Sequence, residues 1–262
     1  MKKLTYFIAP VIAMSLGMAS CSKDDNKTTT TPTTTTPTTA GPTAATPATP
    51  GDVDGALISV RMDYNSQPAG SPVPIKVTSE IGLAVFFSAP GSSTKLDAGT
   101  VAVNTYNLDK GTDNSYSKVA TIASTPADLN FDNGSSWNVG GSGSVTAFSV
   151  NHTAAFPSFD GTMPSSITKS SGLTIQLDNS TLSGADSVLV MVAAGSKSFT
   201  KTFGPNAGTA TITAAELSGF PAVTDNSAIM EVCPYNFTTT TKNGKKYVMI
   251  KEQAVVKNVN IN

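Results

Sequence analysis

The clearest pattern in the chain is a strict alternation of apolar and polar positions. Ile58, Val60, Met62 and Tyr64 alternate with Ser59, Arg61 and Asp63, and a period of two puts these sets on opposite faces of a β-strand. Residues 73–89 carry a second apolar stretch, with Ile81, Leu83, Val85 and Phe87 on one register and Phe86 on the other. Val101 with Val103, then Val119 with Ile122, mark further strands between Gly, Asn and Asp turns. Asp132-Asn133-Gly134 predicts a hairpin, either with a two-residue loop or with a three-residue loop that pairs Leu129 with Trp137. The second is preferred, with Gly134 left-handed beside a bulge. After a Pro/Gly-punctuated stretch from Phe156 to Pro164 come Leu173, Ile175 and Leu177, then residues 188–192, apolar on both faces and therefore central. Phe199, Phe203 and residues 209–212 and 229–237 continue the series. Asn243-Gly244 is the strongest turn signal, a two-residue type I′ hairpin pairing 237–242 with 245–250. Residues 255–261 form the last expected strand.

This rhythm of short strands predicts an all-β fold. Residues 51–160 are expected to form one antiparallel β-sandwich and 161–262 a second, with a junction near Phe156–Met163. About seven strands in roughly 100 residues give the second an immunoglobulin- or fibronectin-like character, although the Cys…Trp…Cys pattern of antibody domains is absent. The composition agrees: only 13% of residues are charged, and the chain is poor in the Leu, Glu, Lys and Arg that fill helices.

Charge and residue counts exclude several chemistries. A formal net charge of −1 gives no field for nucleic acid. Arg61, the sole arginine, leaves little forked donor geometry for phosphate recognition. With one histidine, His152, and two cysteines, Cys21 and Cys233, zinc sites built from several such ligands are ruled out by count. His152 is read as an exposed linker residue, and Cys233 as a small buried hydrophobe. Gly140–Ser144 lacks the final glycine and the following helix of a nucleophile elbow. Asp52-Val53-Asp54-Gly55 and the turn from Asp109 to Asn114 cluster oxygen ligands but do not match the EF-hand spacing. No metal, cofactor or catalytic residue is assigned. Lys242, Lys245 and Lys246 at the Asn243-Gly244 tip are candidate contacts for an anionic glycan, with Trp137, the only tryptophan, as a candidate stacking ring.

The start of the chain changes the picture most. Met1-Lys2-Lys3 is basic, residues 4–17 are apolar, and Met18-Ala19-Ser20 precede Cys21. Fourteen helical residues span about 21 Å, too short for a bilayer core, so 1–20 read as a cleavable signal. The order basic, apolar, small, Cys resembles a bacterial lipoprotein lipobox, which implies lipidation at Cys21. Lys23-Asp24-Asp25 resembles the surface-export signal of Bacteroidetes-type lipoproteins. Together these imply a chain anchored in the outer membrane and exposed at the cell surface. Asp186-Ser187-Val188 resembles the O-glycosylation sequon of the same bacteria, with Ser187 as acceptor. Between anchor and body, the linker within 21–50 is Thr/Pro-rich, with Pro32, Pro37, Pro42 and Pro47 every five residues. It holds nothing able to build a core and reaches at most about 75–80 Å when extended. The expectation is a non-catalytic surface lipoprotein that binds an extracellular glycan or an envelope protein. The alternative is a surface hydrolase that cleaves glycans with paired carboxylates.

Overall fold

The computed structural model describes residues 52–66 and 75–262. Cys21, Lys23, Asp24, Asp25, the signal and the linker lie outside the described residues. The strands in chain order are β1 (Gly55–Ser66), β2 (Ile75–Phe86), β3 (Val101–Val103), β4 (Tyr106–Asn107), β5 (Asp109–Lys110), β6 (Tyr116–Thr121), β7 (Ser135–Val139), β8 (Phe148–His152) and β9 (Ser158–Phe159). There follow β10 (Ser166–Ile167), β11 (Leu173–Leu177), β12 (Leu182–Ser183), β13 (Ser187–Ala194), β14 (Lys197–Phe203), β15 (Gly208–Ile212), β16 (Val223–Lys242) and β17 (Lys245–Ile261). Among the described residues a short helix, α1 (Ala214–Leu217), is closed by a capping box between Thr213 and Glu216.

The fold is all-β, built from several sheets whose strands are mostly antiparallel, with β1 and β10 parallel to β17. One large sheet in the order β14-β13-β16-β17-β1-β2-β6-β5 runs through both halves of the chain, with β10 added beside β17. Its spine is the β16–β17 hairpin, turned at Asn243 (φ 53°) and Gly244 (φ 76°), with Lys242 opposite Lys245 and Phe237 opposite Ile250. This is the register expected from Asn-Gly. A Cβ on Gly244 would meet nothing within 4 Å, so the cost of Gly244→Val is purely conformational. It should be about 1–2 kcal/mol, read as a lowered urea midpoint at unchanged slope; an unchanged midpoint would mean a looser turn.

Alternation along β17 sorts the cores. Tyr247 and Met249 enter one cluster with Leu57, Phe86 and Trp137, closed by the small sheet β4-β3-β7-β8. Val255, Val259 and Ile261 enter another with Val190, Val232, Ile175 and Ile212, closed by the β11-β15 pair. Both small sheets therefore lie on the same face of the large one, as two lobes. Val248, Ala254 and Val256 point the other way and join Ile58, Val60, Ile81, Leu83 and Cys233. β13 is central as its two-faced apolar run predicts, paired with β14 on one side and β16 on the other.

Two expectations fail locally. Asp132-Asn133-Gly134 does not turn a hairpin; Phe131–Asn133 is a 3-10 turn leading into β7. Distant side chains satisfy the backbone groups that strand pairing would have used. The Asn104 amide donates to the carbonyls of Leu129, Asn130 and Gly134, and Glu80 accepts from the N–H of Leu129 at 2.7 Å. The stretches 245–250 and 255–261, expected as separate strands, are one strand, β17.

Candidate ligand-binding cleft

Between the two lobes, the sheet face that carries them turns polar. Ser59, Arg61 and Asp63 on β1 stand beside Lys251 and Gln253 on β17 and Asn236 on β16, on the register that pairs Ser59 with Lys251 and Lys251 with Asn236. These side chains hold the connector after β8. Lys251 donates to the Ala154 carbonyl at 2.5 Å, Asn236 to that of Ala155 at 2.8 Å, and Lys257 to that of Met163 at 2.7 Å. Gln253 accepts from the Phe159 N–H at 3.2 Å and donates to Asp63 at 3.0 Å. The connector thus crosses the band as a strap whose carbonyls are tied to the sheet.

Beneath the strap opens a cleft of about 660 Å³, lined among others by Arg61, Phe131, Ser136, His152, Phe156 and Lys251. Phe156 lies near two cations, with Arg61 4.6 Å and Lys251 5.1 Å from its ring centre, and stacks on Phe131 at 5.5 Å. The Arg61 guanidinium pairs with Glu80 at 3.1 Å and with the exposed Asp132. Lys251 differs: it is 1% exposed, and its hydrogen bond goes to a carbonyl, not a carboxylate. Burial, and then Arg61 nearby, lower its pKa. His152 is 3% exposed and its Nδ1 has no hydrogen-bond partner. Burial, with Lys251 adding to it and Asp186 opposing, lowers the imidazole to about 4, so it is neutral near pH 7.

Comparisons with protein-family models, with curated proteins and with solved structures find no match. The geometry therefore carries the functional argument alone. What it offers is a preformed hollow of ligand-pocket size, with buried nitrogen donors on its floor and Asn151, Thr153 and Ser136 exposed around its mouth.

The residues singled out in the sequence fall elsewhere. Trp137 is 1% exposed, locked on β7 between Val103 and Val150, so it is a core residue and cannot stack on a sugar. Ser187 is likewise buried and hydrogen-bonded to Tyr235, which closes its hydroxyl to modification. Lys242, Lys245 and Lys246 do sit at the hairpin tip, partly or fully exposed, but they line no part of the cleft. The oxygen-rich turns are internally paired: Asp54 accepts from the Lys246 N–H at 2.8 Å, Asp113 pairs with Lys95 and Asp109 with Lys118. Among the described residues no group of three or more His, Cys, Asp or Glu could hold a metal ion. His152, read as an exposed linker residue, is instead on the cleft floor. Alternation could have found it, because Phe148, Val150 and His152 share the inward register of β8.

Proposed function

We propose that this chain is a lipid-tethered surface protein whose β-sheet body binds a ligand, an extracellular glycan, in the cleft beneath the strap. Lipid on Cys21 would hold it at the outer membrane, with Lys23, Asp24 and Asp25 directing export and the Thr/Pro-rich linker lifting the body outward. The observation that carries the binding reading is Phe156, within cation–π distance of both Arg61 and Lys251, in the lining of a preformed hollow. Binding is favoured over hydrolysis by the placement of the acids. Glu80 and Asp132 at the cleft are paired with Arg61. Glu231 and Glu252, whose protons burial holds to about 8 and about 7, lie on the opposite sheet face, in register with Val256 and Tyr235.

Two measurements test the parts separately. Labelled palmitate should enter the wild-type chain and not Cys21→Ser; equal labelling of both would end the lipoprotein reading. On a glycan array the full chain should retain a defined subset of saccharides without releasing cleaved product. Retention of none would remove the glycan reading, and turnover would restore the hydrolase.

A further inference from the structure

Lys251 is a buried cation met by a carbonyl and by the Phe156 ring but hydrogen-bonded to no carboxylate. A buried ammonium without a counter-charge is costly, and folds retain one only when it is paired or carries out a function. On its own sheet face, Lys251 is flanked by Ser59 on β1 and Asn236 on β16. Ser59 is turned to Ser135 at 2.8 Å, and Asn236 is a neutral amide donating to the Ala155 and Gly184 carbonyls. The acids of the neighbourhood are engaged elsewhere. Glu80 takes Arg61 and the Leu129 N–H, Asp63 takes Thr78 and Gln253, and Asp186 takes the Phe237 N–H. One of the ammonium's three donors reaches Ala154, which leaves two.

We propose that the cleft recognises the carboxylate of an acidic sugar, a uronic- or sialic-type residue, with Lys251 as its counter-charge and His152 as its buried polar partner. This rests on the reading of the cleft as a glycan site and specifies which glycans it takes. The Arg61 fork is already taken by Glu80 and Asp132, whereas Lys251 in the same lining is hydrogen-bonded to a carbonyl and to no carboxylate. His152 lines the same hollow, and its buried Nδ1 is without a hydrogen-bond partner in the protein. Around the mouth, Ser136, Asn151 and Thr153 are exposed, suited to hydroxyl groups of a sugar ring. A volume of about 660 Å³ lies within the range of small-molecule sites and suits one or two sugar rings.

The test is calorimetric titration of the full chain with glucuronate, N-acetylneuraminate, glucose, inorganic phosphate and an acidic dipeptide. Glucuronate or N-acetylneuraminate should bind at least about tenfold more tightly than glucose, a factor typical of one charge-assisted hydrogen bond. Lys251→Met should abolish that preference while circular dichroism stays native. Because a core substitution can disturb folding, Asn133→Asp, at an exposed residue of the cleft lining, provides a second variant. Its added negative charge should weaken the acidic sugars several-fold at low salt and leave glucose unchanged. Equal binding of acidic and neutral sugars, unaffected by both variants, would overturn the carboxylate proposal and leave the glycan reading standing. Tighter binding of phosphate or of the dipeptide would overturn both, as would binding of no probe.

Discussion

Glu231→Gln is expected to make the protein more stable at about pH 9 by roughly 3–5 kcal/mol and to leave it nearly unchanged near pH 4. Glu231 is 4% exposed, and burial, with Glu252 adding to it, raises its carboxyl from 4.5 to about 8. Opposite it on the sheet stand Met191 and Val256; further along the same register are Cys233, whose thiol burial also pushes up, and Glu252. None of these supplies a positive charge. Between the unfolded and folded values the native chain binds the proton that the unfolded chain has lost, so wild-type stability falls as pH rises through that window. Glutamine has no charge to bury and should flatten this part of the profile. Urea unfolding across the range reads the difference directly. Parallel profiles for wild type and variant would mean that the Glu231 carboxyl is solvated.

Trp137→Ala should cost about 3–5 kcal/mol, the usual loss for emptying a large aromatic site in a packed core. Trp137 is held between Val103 and Val150 across β3-β7-β8, in the cluster that seats this small sheet on Leu57, Phe86 and Met249. Since it is the only tryptophan, far-UV circular dichroism must follow the unfolding. Lys242→Ala at the hairpin tip is the control, expected within about 0.5 kcal/mol of wild type. A similarly small loss for Trp137 would mean that the first lobe is loosely packed.

Most of the strand pattern is legible from alternation. β1, β2, β11, β13 and the β16–β17 hairpin stand where apolar periodicity and Asn243-Gly244 put them, because each has one buried face or two. The continuity of β17 is not legible, because Lys251-Glu252-Gln253 reads locally as a polar break. In the structure these residues remain in the ladder, with Lys251 and Gln253 holding the strap over the cleft. The parallel pairing of β1 with β17 joins segments nearly two hundred residues apart and leaves no local signal. For the same reason Arg61, His152 and Lys251 could not be recognised as one site. Each is placed by its own strand, and only the assembled sheet brings them around Phe156.

The β1–β17 pairing also has a mechanical meaning. Its register runs unbroken from Gly55 beside Tyr247 to Asn65 beside Lys257, with the chain entering at one end of the pair and β17 leaving at the other. A pull between the N-terminal end of β1 and the far end of β17 therefore draws the two strands lengthwise past each other. Every hydrogen bond of the pair then shares the load, whereas a hairpin opened at its end yields one bond at a time.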